Sequence, residues 1–153
     1  MNLAEYKDNF SPVFALLLTL GEDKINFKPA EDKWSIHEII THLADVEVQS
    51  HVRIRTILAN KDPRMIYHDQ MEWSVILEYS KVDLKESIEI IKLIRESNYN
   101  LLSRIPPEYF KKAGIHSTKG EMTLDYFVNS IVNHTYKHLS QIKNNLEHFK
   151  GTT

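Results

Sequence analysis

The sequence predicts an all-α protein, a four-helix bundle with a long connection between its second and third helices. Glycine is scarce, with four among 153 residues. Apolar residues recur mostly every three or four positions, which is the spacing of one helix face and not the alternation of a strand. The length fits one domain over residues 1–153, since no internal repeat or linker divides it and 42 % hydrophobic residues can form a core.

The first apolar series runs from Leu3 to Leu20 with helical spacing and stops at Gly21. Glycine is common just after a helix end. Pro12 leaves two possibilities, because proline lacks the amide hydrogen that a helix interior needs. Either the helix begins with Ser11 as its cap and Pro12 in its first turn, or an earlier turn kinks at this proline.

The second helix has a clear start signal. Ser35 can accept a hydrogen bond from the Glu38 amide while the Glu38 side chain reaches back, which is a capping box. The helix is therefore predicted to begin at Ile36, and its apolar face runs out before Asn60. Residues 60–82 lack a regular period, so we expect a loop with room for one short helical piece.

The third helix repeats the same start signal with Asp83 and Glu86. Its apolar series begins at Leu84 and continues to Ile105. Pro106 and the proline after it end the helix there.

The fourth helix follows a polar connection that contains Gly114 and Gly120. Thr123 can cap its start. The apolar positions continue from Leu124 to Phe149, so four long helices are predicted and a bundle follows.

The composition excludes several classes of function. The formal charge is −2 with a pI near 6.4, and the basic residues form no run, so nucleic acid is not an expected partner. There is no cysteine, which rules out thiolate metal sites, disulfides and a cysteine nucleophile, so a metal must use nitrogen or oxygen ligands. The first residues lack the order of a secretory signal, and no apolar stretch approaches the roughly 20 residues that span a bilayer. We expect a cytoplasmic protein without membrane contact.

Two histidines of the fourth helix, His134 and His138, lie one turn apart and face the core, with Gln141 near the same line. Buried polar groups need partners, and a pair at this spacing can place two ring nitrogens on one metal ion. His42, at the edge of the second helix's apolar face, is the best third ligand. Three neutral imidazoles leave an open position, as in catalytic zinc sites; nickel, manganese or iron also suit them. The alternative is that these histidines are hydrogen-bonded in the core without a metal.

Other polar residues carry weaker expectations. Glu47 and Arg95 fall on apolar faces and are expected to form a paired charge inside the bundle. Asp45 could orient a ligand from behind or be solvated. Packing positions are expected for Trp34 and Trp73. Solvated surface positions are expected for the five remaining histidines, His37, His51, His68, His116 and His148.

The segments WSIHEIITHLADVE and HTYKHLSQI, in this order and spacing, resemble the DinB-like (DinB/YfiT) superfamily of four-helix-bundle proteins. The stretch YSKVDLKESIEIIKLIRESNYNLL and the loop HSTKGEMTL extend the resemblance over most of the chain. It implies that one divalent metal ion is held by His42, His134 and His138. We expect zinc or nickel there before manganese or iron. Some members resemble thiol-dependent S-transferases or isomerases that use bacillithiol, mycothiol or glutathione.

The leading functional expectation is therefore a metal-dependent thiol S-transferase with a small-molecule substrate and a low-molecular-weight thiol as cofactor. The metal would lower the pKa of that thiol. A metal-dependent hydrolase is the alternative, followed by a metal-binding or stress-response module without turnover. Gln141 and His116 are the candidate catalytic groups. A purely structural bundle that dimerises through an apolar face is the remaining possibility, and Val128 and Val132 could face the partner.

Overall fold

The computed structural model describes residues 3–151 and confirms a mostly helical bundle. The helices are α1 (Leu3–Asp8), α2 (Ser11–Leu17), α3 (Glu22–Asn26), α4 (Ile36–Ala59), α5 (Gln70–Ile76), α6 (Leu84–Leu102) and α7 (Leu124–Gly151). Two 3-10 turns cover Tyr79–Lys81 and Pro107–Lys111, and two short strands are β1 (Ala113–His116) and β2 (Gly120–Thr123). The N-terminal helices together form one wall of the bundle, while α4, α6 and α7 form the others.

The N-terminal segment is broken, as Pro12 suggested. Asn9 and Phe10 separate α1 from α2, and both side chains are buried. Pro12 lies in the first turn of α2, where its missing amide hydrogen leaves no helical bond unmade. Of the two alternatives, the one with Pro12 in a first turn is observed, but Phe10 and not Ser11 is the N-cap residue. A separate short helix precedes it. The sequence predicted one helix that continues to Leu20. Instead, α2 ends at Leu17, and a further short helix, α3, follows Gly21.

The predicted starts of the three long helices are confirmed. The Glu38 amide donates to Ser35 Oγ at 3.2 Å and the Ser35 amide donates to Glu38 Oε2 at 2.8 Å, which completes the capping box of α4. Asp83 accepts from the Lys85 amide at 2.9 Å, although no reciprocal bond from Glu86 completes a box within residues 3–151. Thr123 Oγ1 accepts from the amide of Tyr126, in the first turn of α7, at 3.2 Å.

A β-hairpin replaces the featureless polar connection predicted before the last helix. Its strands pair antiparallel from Ala113 opposite Thr123 to His116 opposite Gly120, and Gly120 adopts a φ of 75°. Strands of four residues are too short to show a period of two, which is why the sequence did not predict them. The Ile115 amide donates to Pro63 O at 2.8 Å. The hairpin is thereby joined to the connection after α4 and carries His116 to that end of the bundle.

The core closes over the two valines that were expected to face a partner. Val128 is fully buried and Val132 is 7 % exposed, and both pack in the cluster around Tyr6. The N-terminal segment covers this face of α7, and Asn9 Nδ2 donates to Val132 O at 3.3 Å. The prediction that these valines are available for dimerisation is wrong, because the chain's own first helices occupy their face. Across residues 3–151, no helix combines the length and apolarity needed to cross a bilayer.

A buried ion pair lies at the centre of the bundle, as predicted. Arg95 of α6 contacts Glu47 of α4 through Nε at 2.9 Å and Nη2 at 2.8 Å, and both side chains are almost completely buried. The remaining donors of Arg95 reach Tyr6 O, Asn9 Oδ1 and Thr135 Oγ1. Burial raises the pKa of Glu47, while the positive charge of Arg95 opposes that rise. The guanidinium therefore connects the N-terminal segment, α4, α6 and α7.

Replacing Glu47 by leucine leaves Arg95 charged and uncompensated in the core. We expect Glu47→Leu to lower the free energy of unfolding by about 3–5 kcal/mol. The matched variant Glu89→Leu breaks an exposed pair with Lys92 and should cost less than about 1 kcal/mol. Urea denaturation measures both. In the double variant Glu47→Leu/Arg95→Met the loss should be smaller than in Glu47→Leu alone; an additive loss would contradict the pairing.

Candidate metal centre

Three histidines from two helices meet at one point in the bundle. His42 comes from α4, and His134 and His138 from successive turns of α7. The Nε2 atom of His134 lies 3.4 Å from that of His42 and 3.1 Å from that of His138. One nitrogen from each ring lies within 4.8 Å of the others. The structure thus brings together the three residues that were predicted from the sequence to be metal ligands.

Burial keeps these rings neutral. It is the largest cause that lowers the pKa of His42 to about 2 and that of His134 to about 3, and the neighbouring histidines add to the shift in both. Burial also lowers the pKa of His138, against the hydrogen bond that its ring donates to Gln141, which raises it. Neutral imidazole is the form that offers a lone pair to a metal.

Gln141 fixes the tautomer of one ring. Its Oε1 lies 2.9 Å from His138 Nδ1, and because an amide oxygen only accepts, Nδ1 must carry the proton. The lone pair of His138 is therefore on Nε2, which points to the other two rings. Gln141 does not line the cavity beside the cluster within residues 3–151, so its place fits a positioning role better than the direct catalytic role considered from the sequence.

Hydrogen bonds alone do not satisfy this arrangement. His134 Nε2 lies between two other Nε2 atoms, and a single N–H can donate to only one of them. The Nδ1 atoms of His42 and His134 are buried without a partner within residues 3–151, so Nε2 is the one polar contact of each ring. One cation can accept all three lone pairs. Nitrogens bound tetrahedrally at 2.0–2.1 Å lie about 3.3–3.4 Å apart, close to the separations observed. The donor set and its spacing therefore fit a divalent metal ion.

Trp34 covers the cluster from the loop before α4. Its ring centroid lies 4.8 Å from that of His42 and 6.4 Å from that of His138. Asn145 Nδ2 donates to Trp34 O at 2.9 Å and ties this loop to α7. Asp45 does not orient His42: it accepts from the Tyr79 hydroxyl at 2.6 Å, so neither alternative for Asp45 describes its place.

A cavity of about 380 Å³ opens beside the cluster, and His134 forms part of its wall. The wall combines α4, the connection after it, the hairpin and α7. His116 and His68 line this cavity and are half-buried, which corrects the expectation that both are solvated surface residues. The reason is tertiary: the hairpin and the connection fold over the end of the bundle. His37 also differs, since its Nε2 lies 2.8 Å from Val82 O, and His51 is half-buried.

Two charged residues of the cavity wall, Arg53 and Lys119, were not predicted from the sequence. A signal existed for Arg53, because it lies three residues after Ser50 and four before Ile57 on the inward arc of α4. The same reasoning had singled out Glu47. Lys119 gave no signal, because its place depends on the hairpin.

Comparison with known proteins gives a consistent picture. The model of the DinB superfamily matches residues 7–142. A protein of Oceanobacillus iheyensis, provisionally named metal-dependent hydrolase OB0413, is 23 % identical over 134 residues, which cover 88 % of this chain and 77 % of that protein. YfiT of Bacillus subtilis, also provisionally named a metal-dependent hydrolase, is 24 % identical over 110 residues, 71 % of this chain and 62 % of YfiT.

The solved structure of YfiT has the same fold. It matches with a TM-score of 0.89 at 18 % identity, over 97 % of this chain and 85 % of that chain, and is described as a four-helix bundle of unusual topology. The family match covers most of the chain, and the fold and the histidine cluster agree with it. The chain belongs to the DinB superfamily.

Proposed function

We propose that this protein is a divalent-metal-dependent hydrolase of small molecules, with His42, His134 and His138 as the metal ligands through Nε2. The observation that carries the proposal is the convergence of three neutral imidazoles beside a cavity whose wall includes His134. The cavity volume of about 380 Å³ suits a small molecule. The names of the relatives in Oceanobacillus and Bacillus support hydrolysis as the reaction.

Three histidine ligands suit zinc or nickel best, and manganese or iron next. When bound, a divalent cation with three protein ligands supplies Lewis acidity and lowers the pKa of a nucleophile in its open position. The protein's own residues prepare that position. Gln141 holds His138 in the tautomer that binds metal, and Trp34 packs against the rings of His42 and His138.

A general base is harder to find in the cavity. The Thr118 amide donates to His116 Nδ1 at 3.2 Å, so the neutral His116 ring carries its proton on Nε2 and offers a donor, not a lone pair. No carboxylate lines the cavity within residues 3–151. His116, a candidate catalytic group from the sequence, therefore suits binding better than proton abstraction.

This lack of a base favours thiol S-transfer as a second candidate. A thiol has an unperturbed pKa of about 8.5, so a metal ion alone can hold it as a thiolate near neutral pH. Water has a much higher pKa and depends more on the metal and on a base. A low-molecular-weight thiol would then be the co-substrate.

Metal content tests the site directly. Protein purified without a chelator or affinity tag should contain close to one divalent metal per chain by elemental analysis. His138→Ala should lose it, because two ligands rarely retain an ion. His148→Ala removes an exposed histidine from the same helix, near its end, and should keep the metal. Metal-free protein, or equal loss in both variants, would contradict the proposal.

A substitution of Gln141 tests whether its hydrogen bond to His138 contributes to metal binding. Gln141→Ala should weaken metal affinity by about 10–100-fold, because His138 loses the acceptor that fixes its tautomer. Competition with a chromogenic chelator measures the affinity. Gln141→Glu keeps an acceptor at the end of the same side chain and should restore most of the binding. If Gln141→Ala binds as tightly as the native chain, the hydrogen bond has no role in the site.

Turnover separates the candidate reactions. The metal-loaded protein is assayed on a panel of esters and amides, with and without thiols, and on thiols with an alkylating electrophile. The hydrolase proposal predicts turnover without thiol that disappears in His138→Ala. Turnover only with a thiol would establish the second candidate instead. Metal binding without any turnover would favour a non-catalytic module.

A further inference from the structure

Arg53 is a buried arginine without a carboxylate partner. Its side chain lies in the cavity wall with 9 % of the residue exposed. Nε and Nη2 donate to the carbonyl of Ile66, and Nη2 lies 3.4 Å from His68 Nδ1. Within residues 3–151 no carboxylate oxygen lies at ion-pair distance, and Nη1 has no hydrogen-bond partner although it is not a buried atom. A neutral carbonyl and a neutral ring thus leave the charge of Arg53 uncompensated.

The comparison with Arg95 shows how unusual this is within the same fold. Arg95 is buried to a similar degree, and Glu47 neutralises it. A buried charge without a counter-ion is costly. Burial lowers the pKa of Arg53, and no neighbouring carboxylate opposes that shift. The bond to Ile66 holds the guanidinium in place but does not supply the missing negative charge.

Further donors surround the same space. Lys119 of the hairpin lines the cavity, and the charges of Arg53 and Lys119, after burial, lower the pKa of His116. The neutral His116 ring offers Nε2–H, because Thr118 occupies its Nδ1. The lining residues include no acid within the part of the chain described.

The two nearby carboxylates are engaged elsewhere. Asp45 accepts from Tyr79 at 2.6 Å, and Asp69 caps α5 by accepting from the Met71 and Glu72 amides. Both oppose the lowered pKa of His68, so they lie near the cavity without lining it. The side chains that line the cavity therefore supply donors and positive charge, and His134 forms part of the same wall.

We infer that Arg53, with His116 and Lys119, forms an anion-binding subsite beside the metal centre, and that the substrate carries a carboxylate or phosphate group. An anionic oxygen group would supply the counter-charge that Arg53 lacks and accept from the donors around it. The subsite itself needs no metal, whereas its assignment to the substrate rests on the proposed function. The anion at Arg53 would place the rest of a small molecule toward His134.

The test is a titration of the full chain with two probes, succinate and inorganic phosphate, at low ionic strength by calorimetry. Metal content is measured on the same sample. We expect saturable binding of at least one probe, and the preferred probe distinguishes a carboxylate from a phosphate. Arg53→Gln should weaken it by about tenfold or more, the usual size of a hydrogen bond to a charged group. Arg104→Gln removes the same charge from an exposed site outside the cavity and should leave affinity within about twofold.

Two further variants keep the result decisive. Lys119 is exposed on the hairpin, so Lys119→Gln should fold normally and still weaken binding if Arg53→Gln fails to fold. His138→Ala should retain saturable anion binding, although weaker, after losing metal, which separates the subsite from direct binding to the ion. No saturable binding of either probe, or equal weakening by Arg53→Gln and Arg104→Gln, would overturn the inference. Anion binding in a chain that holds no metal would refute the proposed function and leave the subsite intact.

Discussion

The meeting of the three histidines depends on the buried guanidinium of Arg95. Its donors reach Glu47 on α4, Thr135 on α7 and the backbone of α1, so one planar group fixes the relative rotation of three walls of the bundle. Thr135 directly follows His134. Glu47 lies five residues after His42 on the same helix. Because these partners are almost completely buried, a slip of either helix would leave a charge unpaired, which is far more costly than a change in apolar packing. The ion pair thus specifies the arrangement in which the three histidines meet.

The histidine cluster is covered on one side and open to a cavity on the other. Toward Trp34 the histidines are covered, and Gln141 completes the hydrogen bonding of His138. Toward the hairpin His134 borders open space, whose lining includes Arg53 and Lys119 and, within residues 3–151, no carboxylate. A covered side favours a fixed set of ligands, whereas an open side favours exchange of small molecules. The helices α4 and α7 therefore hold the ligands in place on one side and leave the cavity accessible on the other. The hairpin adds cavity residues that these two helices do not carry.

Local chemistry decided which parts of this architecture were predictable. Ser35 with Glu38, Asp83 and Thr123 act on amides within three residues of themselves, so their caps were predicted correctly without knowledge of the fold. The inward histidine pair and the charges of Glu47 and Arg95 followed from helical periodicity. The hairpin, the role of Asp45 and the burial of Val128 and Val132 depend on contacts distant in sequence, such as the bond of Asn9 to Val132. Arg53 combines both cases. Helical periodicity could have predicted that it points inward from α4, but only the folded structure shows that it has no carboxylate partner.

Charge balance links the metal centre to the cavity. Three neutral histidines leave the full charge of a divalent cation uncompensated, since no carboxylate takes part in the cluster. Arg53 and Lys119 add further positive charge to the wall that His134 shares. Like charges in a space of low dielectric repel, so a metal ion here is held against an unfavourable field. An anion in the cavity would relieve that repulsion, and the two would strengthen each other's binding by the same factor. Under the proposed function, the site would hold its metal most tightly when an anionic small molecule is present, and the anion would lie next to the open position of the metal.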